Sequence, residues 1–211
     1  MKALTVDQTT DMIIRVCDEI IKNKPYLTEV DSKIGDGDHG IGMAGGMEKA
    51  KYALEEKRPF QDVNSVFKTT GMVMLNSMGG ASGVIFGSMF LGGIKGLETI
   101  KELDGHSMAR IMRGSLEAIK ERGKAQLGDK TMIDALEPAV IELEKGNKED
   151  LVTLLQTAKD AAHQGVENTK DYIAKFGRAK SLMERAIGHQ DAGATSVFII
   201  FEAMYEFVNE I

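Results

Sequence analysis

Apolar residues recur along this chain at helical spacing, in runs separated by short polar or glycine-bearing joints. The first run, Ile13, Val16, Cys17, Ile20 and Ile21, follows the capping-box pattern Thr5-Val6-Asp7-Gln8 and predicts a helix to about Asn23, ended by Pro25. Met43, Met47, Ala50 and Ala53 predict a second from about Ile41, closed before Pro59. Asp62 opens a third through Val63, Val66, Phe67, Thr70, Val73 and Met74, and Gly79-Gly80-Ala81-Ser82-Gly83 turns into a fourth from Val84 to about Leu97. Met108, Ile111, Met112 and Ile119 predict a fifth over Ser107 to Arg122, with Leu116 one step off register. After a polar loop, Gly123 to Lys130, the capping-box-like Thr131-Met132-Ile133-Asp134 starts a sixth, which Pro138 should bend. Asn147 is expected to cap a seventh, faced by Leu151, Leu154, Leu155, Ala158, Ala161, Ala162 and Val166. Lys175 to Gln190 reads as a basic, irregular excursion, after which Asp191 caps an eighth with the stripe Val197, Ile200, Phe201, Met204, Val208 and Ile211. Eight helices, short connections and no convincing strand predict an all-α antiparallel bundle, one domain over residues 1–211.

Composition narrows the function. The 211 residues carry 26 basic against 32 acidic side chains, a net charge of −6, which disfavours non-specific nucleic-acid or anionic-membrane binding. Thr69 to Ile94 has no charged residue and is long enough to span a bilayer at about 20 residues. Asn76, Ser77, Gly79, Gly80, Ser82 and Gly83 interrupt its middle, so it reads as a turn between two buried helices. Cys17, the only cysteine, sits among isoleucines and reads as a buried thiol, while Met1 to Asp7 lacks a signal-peptide core; the expected compartment is the cytoplasm.

The chemistry gathers in Asp31-Ser32-Lys33-Ile34-Gly35-Asp36-Gly37-Asp38-His39-Gly40. No single regular element aims all three carboxylates at one point: on a helix Asp36 and Asp38 diverge by about 200°, and on a strand Asp31 faces away from both. A glycine-broken loop can, and the crowded carboxylates then repel unless cations sit among them. All-oxygen ligands suit Mg²⁺ or Ca²⁺. A plain Asp-capped surface turn competes with this reading, and an EF-hand fails because Met47 falls where the bidentate glutamate belongs.

Three glycine-bearing turns stand before helices: Gly40-Ile41-Gly42, Gly79-Gly80-Ala81-Ser82 and Asp191-Ala192-Gly193. Free N–H groups there attract phosphate oxygens, so a polyphosphate held with Mg²⁺ is the natural ligand. Gly123 to Thr131 imitates a Walker A motif with one residue too many before its lysine and no strand ahead, so a P-loop is dismissed. His39 has two open roles, donating to a phosphate or aspartate, or bonding backbone in a loop; His189 reads as structural, and His106 and His163 as surface residues. Arg178 either reaches a phosphate or is a solvated arginine. No general base stands out, which suggests that an acceptor and its base come from another chain.

Taken together, Asp31-x4-Asp36-x-Asp38-His39-Gly40, Gly79 to Gly83, Gly128-Asp129-Lys130-Thr131-Met132, Gly177-Arg178-Ala179 and Gly188 to Ser196 resemble the L-subunit family of bacterial dihydroxyacetone kinase. The resemblance implies an eight-helix barrel with nucleotide at one end, and two Mg²⁺ on Asp31, Asp36 and Asp38 bridging the phosphates of ADP or ATP. It implies that His39, Gly40, Ile41, Gly42, Ala81 and Ser82 line the phosphates, and that Gly123, Met132, Arg178 and Asp191 to Gly193 complete the site. Ala192 departs from the proline frequent there, which loosens the turn slightly without removing its N–H groups. It also implies a K subunit carrying dihydroxyacetone on its own histidine, and in many bacteria a phosphohistidine protein of the phosphoenolpyruvate-dependent phosphotransferase system that recharges bound ADP. Two other readings use the same site: an ATP-dependent kinase subunit for another small substrate, and a nucleotide-loaded module that binds a transcription regulator.

Overall fold

The structure, a computed structural model, describes residues 2–148 and 150–211, and of Ala81 the backbone alone. Among these residues nine α-helices and two short strands form, where the periodicity predicts eight helices and no strand. Strands β1 (Ala3–Thr5) and β2 (Glu102–Asp104) pair antiparallel, with Leu4 opposite Leu103 and both fully buried. Three residues are too few for an alternating pattern to register, and the pairing joins the beginning of the chain to its middle.

Helix α1 (Val6–Lys22) begins with the expected capping box: the Gln8 N–H donates to Thr5 Oγ1 at 3.2 Å and the Thr5 N–H to Gln8 Oε1 at 3.0 Å. The additional helix is α2 (Lys24–Ile34). Pro25 does not lead into a loop but stands in its first turn, where a missing N–H costs nothing and a fixed φ favours the helix. Helix α3 (His39–Lys57) follows, then α4 (Val63–Ser77), whose cap Asp62 accepts the Ser65 N–H at 2.7 Å. Helix α5 (Gly80–Gly93) starts four residues before Val84, so Gly80 to Gly83 are its first turn and not a connection. Asp104, not Ser107, marks the start of α6 (Gly105–Gly123), accepting the Ser107 N–H at 2.8 Å, and Leu116 is buried despite its register. Pro138 lies within α7 (Ile133–Lys145) without ending it. The cap of α8 (Leu151–Asn168) is Asp150 and not Asn147, because its carboxylate reaches the Val152 and Thr153 N–H groups. A stretch of 3-10 turns over Arg178–Ala186 forms the basic excursion before α9 (Ala192–Glu210).

Packing follows chain order. Helices α1, α3, α4, α5, α6, α7, α8 and α9 each lie against the next, and α9 closes back on α1, while α2 packs outside the ring against α3 and α9. One continuous cluster of buried residues fills the middle, rich in Met, Leu, Ile, Val and Ala. Close approaches tighten it: a Cβ at Gly165 of α8 would come within 2.1 Å of the Asp134 carbonyl oxygen on α7. No helix among the described residues is long and apolar enough to cross a membrane, and the uncharged stretch is divided between α4 and α5.

Alternating direction around this ring sorts the helix starts by parity. The β1–β2 pair joins the starts of α1 and α6, and the Val63 N–H donates to the Ile100 carbonyl at 2.9 Å, which brings the start of α4 to the same end. The starts of α3, α5, α7 and α9 therefore gather at the other end, and the candidate site is built there.

Candidate functional site

The acidic sequence folds as helix, link and helix. Asp31 lies in the last turn of α2, not in a loop, and its carbonyl accepts the Gly35 N–H at 2.6 Å where the helix stops. Gly37, at φ +76°, then reverses the chain and delivers Asp38 to the start of α3. Asp31 Oδ2 accepts the His39 N–H at 3.3 Å, which ties the two helix ends together. Asp31, Asp36 and Asp38 each offer a carboxylate oxygen, and these oxygens lie within 4.8 Å of one another. Burial and the charges of Asp36 and Asp31 push the Asp38 carboxyl above its usual range, the repulsion a cation would relieve. In a plain surface turn these aspartates would cap their own backbone; Asp38 makes no side-chain cap bond, and Asp36 instead pairs with Arg178 Nη2 at 2.8 Å. Hard oxygen donors at this separation fit Mg²⁺.

Beside the carboxylates opens a cleft of about 350 Å³, within the range of small-molecule sites. Its walls bring together Asp31, Asp36, Asp38, His39, Ser82, Met132, Arg178, Asp191, Ala192 and Gly193. The residues before α3 and α5, Asp38 and Gly79, give no side-chain cap, so apart from the His39 N–H taken by Asp31 the first N–H groups there remain available to an anion. At α9 the cap is Asp191, whose Oδ2 accepts the Ala194 N–H at 2.7 Å. Burial drives the Asp191 carboxyl up to about 7, against the lowering effect of that bond.

Four residues of the expected set lie outside the lining among the described residues. Gly40 is a packing position: a Cβ there would come within 2.4 Å of the Lys24 carbonyl on α2. Ile41 is exposed, the Gly42 N–H donates to the Asp38 carbonyl at 2.9 Å, and Gly123 faces Ile85. The side chain of Ala81 lies outside what the structure describes.

His39 is not a loop histidine bonded to backbone. Its ring is buried at the start of α3, with Nε2 2.8 Å from Ser196 Oγ on α9 and the ring tilted against Phe86, and burial holds its pKa below the ordinary value. Arg178 is mostly exposed, and an exposed ion pair contributes no more than about 1 kcal/mol, so a phosphate could displace Asp36 from it at little cost.

Residues 33–206 match the family model of the DAK2 domain. The chain belongs to the DAK2-domain family. It is 41% identical over 189 residues, covering 90% of each chain, to a protein of Listeria innocua serovar 6a named as the ADP-binding subunit DhaL of PEP-dependent dihydroxyacetone kinase 1. It is 38% identical over 205 residues, 97% of this chain and 99% of the other, to the ADP-binding subunit DhaL of the PTS-dependent dihydroxyacetone kinase of Lactococcus lactis. Among solved structures, the dihydroxyacetone kinase of C. freundii in complex with AMP-PNP and Mg²⁺ superposes with a TM-score of 0.75 at 27% identity, covering 98% of this chain and 35% of that one. This DAK2 domain thus spans about a third of that longer kinase chain.

The DAK2 domain also brings into its cleft residues to which the sequence assigned no part in the ligand site: Ile34, Ile85, Phe86, Lys130, Thr131, Phe176 and Gly177. The dismissed Walker-like stretch contains two of them. No phosphate loop forms there. Instead Asp134 Oδ1 accepts the Gly128 N–H and Oδ2 the Thr131 N–H, so the carboxylate expected to complete a capping box holds the turn before α7. Burial raises the Asp134 carboxyl despite these bonds. Acid and lysine in one Gly-Asp-Lys-Thr run were visible, but their partners, forty to sixty residues on, were not.

Proposed function

We propose that this DAK2 domain is the nucleotide-carrying subunit of a multi-subunit kinase, which delivers a phosphoryl group to a hydroxyl of dihydroxyacetone or a similar short ketose held on a partner K subunit. The observation that carries the reading is the carboxylate triad set within 4.8 Å beside uncapped helix starts, a hard-cation site next to an anion site. The names of the relatives and the nucleotide in the C. freundii kinase support the same ligand.

Asp31, Asp36 and Asp38 would hold two Mg²⁺, whose chemistry there is neutralisation of phosphate charge during transfer. The free first N–H groups of α3 (Gly40, Ile41), of α5 (Ala81, Ser82) and of α9 (Ala192, Gly193) would orient phosphate oxygens of ADP or ATP, with His39, Gly42 and Asp191, whose N–H groups are already bonded within the protein, standing beside them. Arg178 exchanges Asp36 for phosphate, and Gly123 and Met132 complete the nucleotide site. Transfer also needs a base for the acceptor hydroxyl. The triad carboxylates are committed to cations, His39 is bonded to Ser196, and Asp191 caps α9, which supports a base on the partner. A phosphohistidine protein of the phosphotransferase system would recharge ADP in place, and the whole assembly would work in the cytoplasm.

The test is to purify the protein in Mg²⁺ without added nucleotide, denature it and quantify what is released. Near-stoichiometric ADP supports a resident nucleotide recharged by phosphohistidine. Empty protein that binds added Mg-ATP points to ATP as exchangeable substrate, and absence of both overturns the reading. Phosphoryl transfer with the cognate K subunit then separates a kinase subunit from a module that only binds a regulator.

A further inference from the structure

Lysine is almost never fully buried unless it is paired. Lys130 is 1% exposed, and no carboxylate among the described residues forms an ion pair with it. Its Nζ donates instead to two backbone carbonyls, Thr169 at the end of α8 and His189 two residues before the cap of α9. Its backbone, at φ +59°, occupies the left-handed region that non-glycine residues seldom adopt, and the Asp134 carboxylate holds the N–H groups on either side. The preceding residue does a parallel task. Asp129 Oδ1 accepts Lys175 Nζ at 2.6 Å, and the Asp129 carbonyl accepts the Lys175 N–H at 3.1 Å. The excursion that carries Arg178 thus has one foot at Lys175 and the other at His189, and both stand on adjacent residues of one turn.

We propose that Asp129 and Lys130 are positioning residues of the cleft, clasping the two feet of the 175–190 excursion so that Arg178 and the start of α9 face the bound ligand. The inference rests on the nucleotide reading given above. The Thr169 carbonyl also accepts the Tyr172 N–H at 3.2 Å, whereas among the described residues the partly buried His189 carbonyl has its donor in Lys130, and the Asp191 N–H, bonded to Thr169 Oγ1 at 3.0 Å, shares the same junction. Without the ammonium the His189 carbonyl loses that donor, and the turn around Gly188 is left to the bonds from the Ile187 N–H to the Glu184 carbonyl at 3.1 Å, from the Gly188 N–H to the Lys170 carbonyl at 2.7 Å, and a long one from the His189 N–H to the Ala186 carbonyl.

The test compares wild type with Lys130→Met and Asp129→Ala by hydrogen exchange without ligand and by Mg-ADP titration. Faster exchange confined to residues 175–191, with at least a tenfold weaker Mg-ADP affinity and an unchanged helical circular-dichroism signal, is the expected result. In an Arg178→Ala background Asp129→Ala should weaken binding much less, because the foot acts through Arg178; a merely structural role would leave the two effects additive. If Lys130→Met does not fold, Lys130→Gln, which retains N–H donors, is measured in its place. Unchanged exchange and affinity in folded variants overturn the inference, and so does failure of both Lys130 variants to fold, since the lysine then serves the fold at large. Wild type that binds no Mg-ADP, with exchange still accelerated in the variants, overturns the nucleotide reading and leaves the clasp standing.

Discussion

Asp36 and Asp38 are half-freed from the backbone, and their work is electrostatic. Asp36→Asn or Asp38→Asn removes one charge from the triad, so each variant should lose nucleotide retention while the helical circular-dichroism signal stays intact; retained nucleotide in both would refute the metal assignment. Asp191 gives a prediction of opposite kind. Its folded pKa, raised by burial to about 7, exceeds the unfolded carboxylate value of about 3.9, so its contribution to stability is fully present below pH 4 and is lost as pH rises through 7. At pH 8 the ionised group costs up to about 4 kcal/mol. Asn caps a helix about as well as Asp. Ligand-free Asp191→Asn should therefore resist urea better than wild type at pH 8, with the advantage shrinking at pH 5. The triad was legible because three carboxylates and three glycines crowd one stretch. That Asp31 sits on a helix was not, because Pro25 signals a helix start as readily as a stop.

Helices were legible wherever an apolar stripe ran for several turns, and their ends were legible where an acid could cap. Asp62 is such a case, and Asp62→Ala should cost about 1 kcal/mol in denaturant titration by orphaning the Ser65 N–H. Asn147 is the cap expected from the sequence, but Asp150, three residues on, takes that place because its carboxylate reaches two N–H groups. The glycine-rich start of α5 read as a turn because Gly80 to Gly83 carry no pattern; packing makes them helical, with Gly83 pressed against Met78. Close helix crossings leave the same silence in sequence. Gly165→Ala would drive a methyl into the Asp134 carbonyl, and a loss of about 1–3 kcal/mol, read as a lower Tm, is expected. Because that carbonyl belongs to the first turn of α7, the damage should extend to the Gly128 to Thr131 turn.

At the scale of the whole molecule the ring of helices decides where chemistry can occur. An even ring with short connections must collect alternate helix starts at each end, so four N-termini face one cleft without any one of them being specialised for it. The interior is closed to reagents. Burial raises the Cys17 thiol to about 12, so it should resist a thiol-specific reagent at pH 8 in the native state and react fully in denaturant; rapid native reaction would contradict the packing of α1 against α3. Mg-ADP, bound only by the folded state, should raise Tm with concentration, and the triad variants should lose that shift.

By itself the sequence determined the helical class, most helix boundaries, and the acidic, glycine-bearing segment, because each is a local pattern repeated within a few residues. It determined the resemblance as well, since that rests on ordered motifs. Only the tertiary structure decided that β1 and β2 pair, that α2 exists as an outside helix, and that Lys130 is a buried clasp. Those depend on partners brought together from distant parts of the chain: Leu4 with Leu103, Pro25 with α3 and α9 waiting to receive its helix, and an ammonium with two carbonyls that only the closed ring places within its reach.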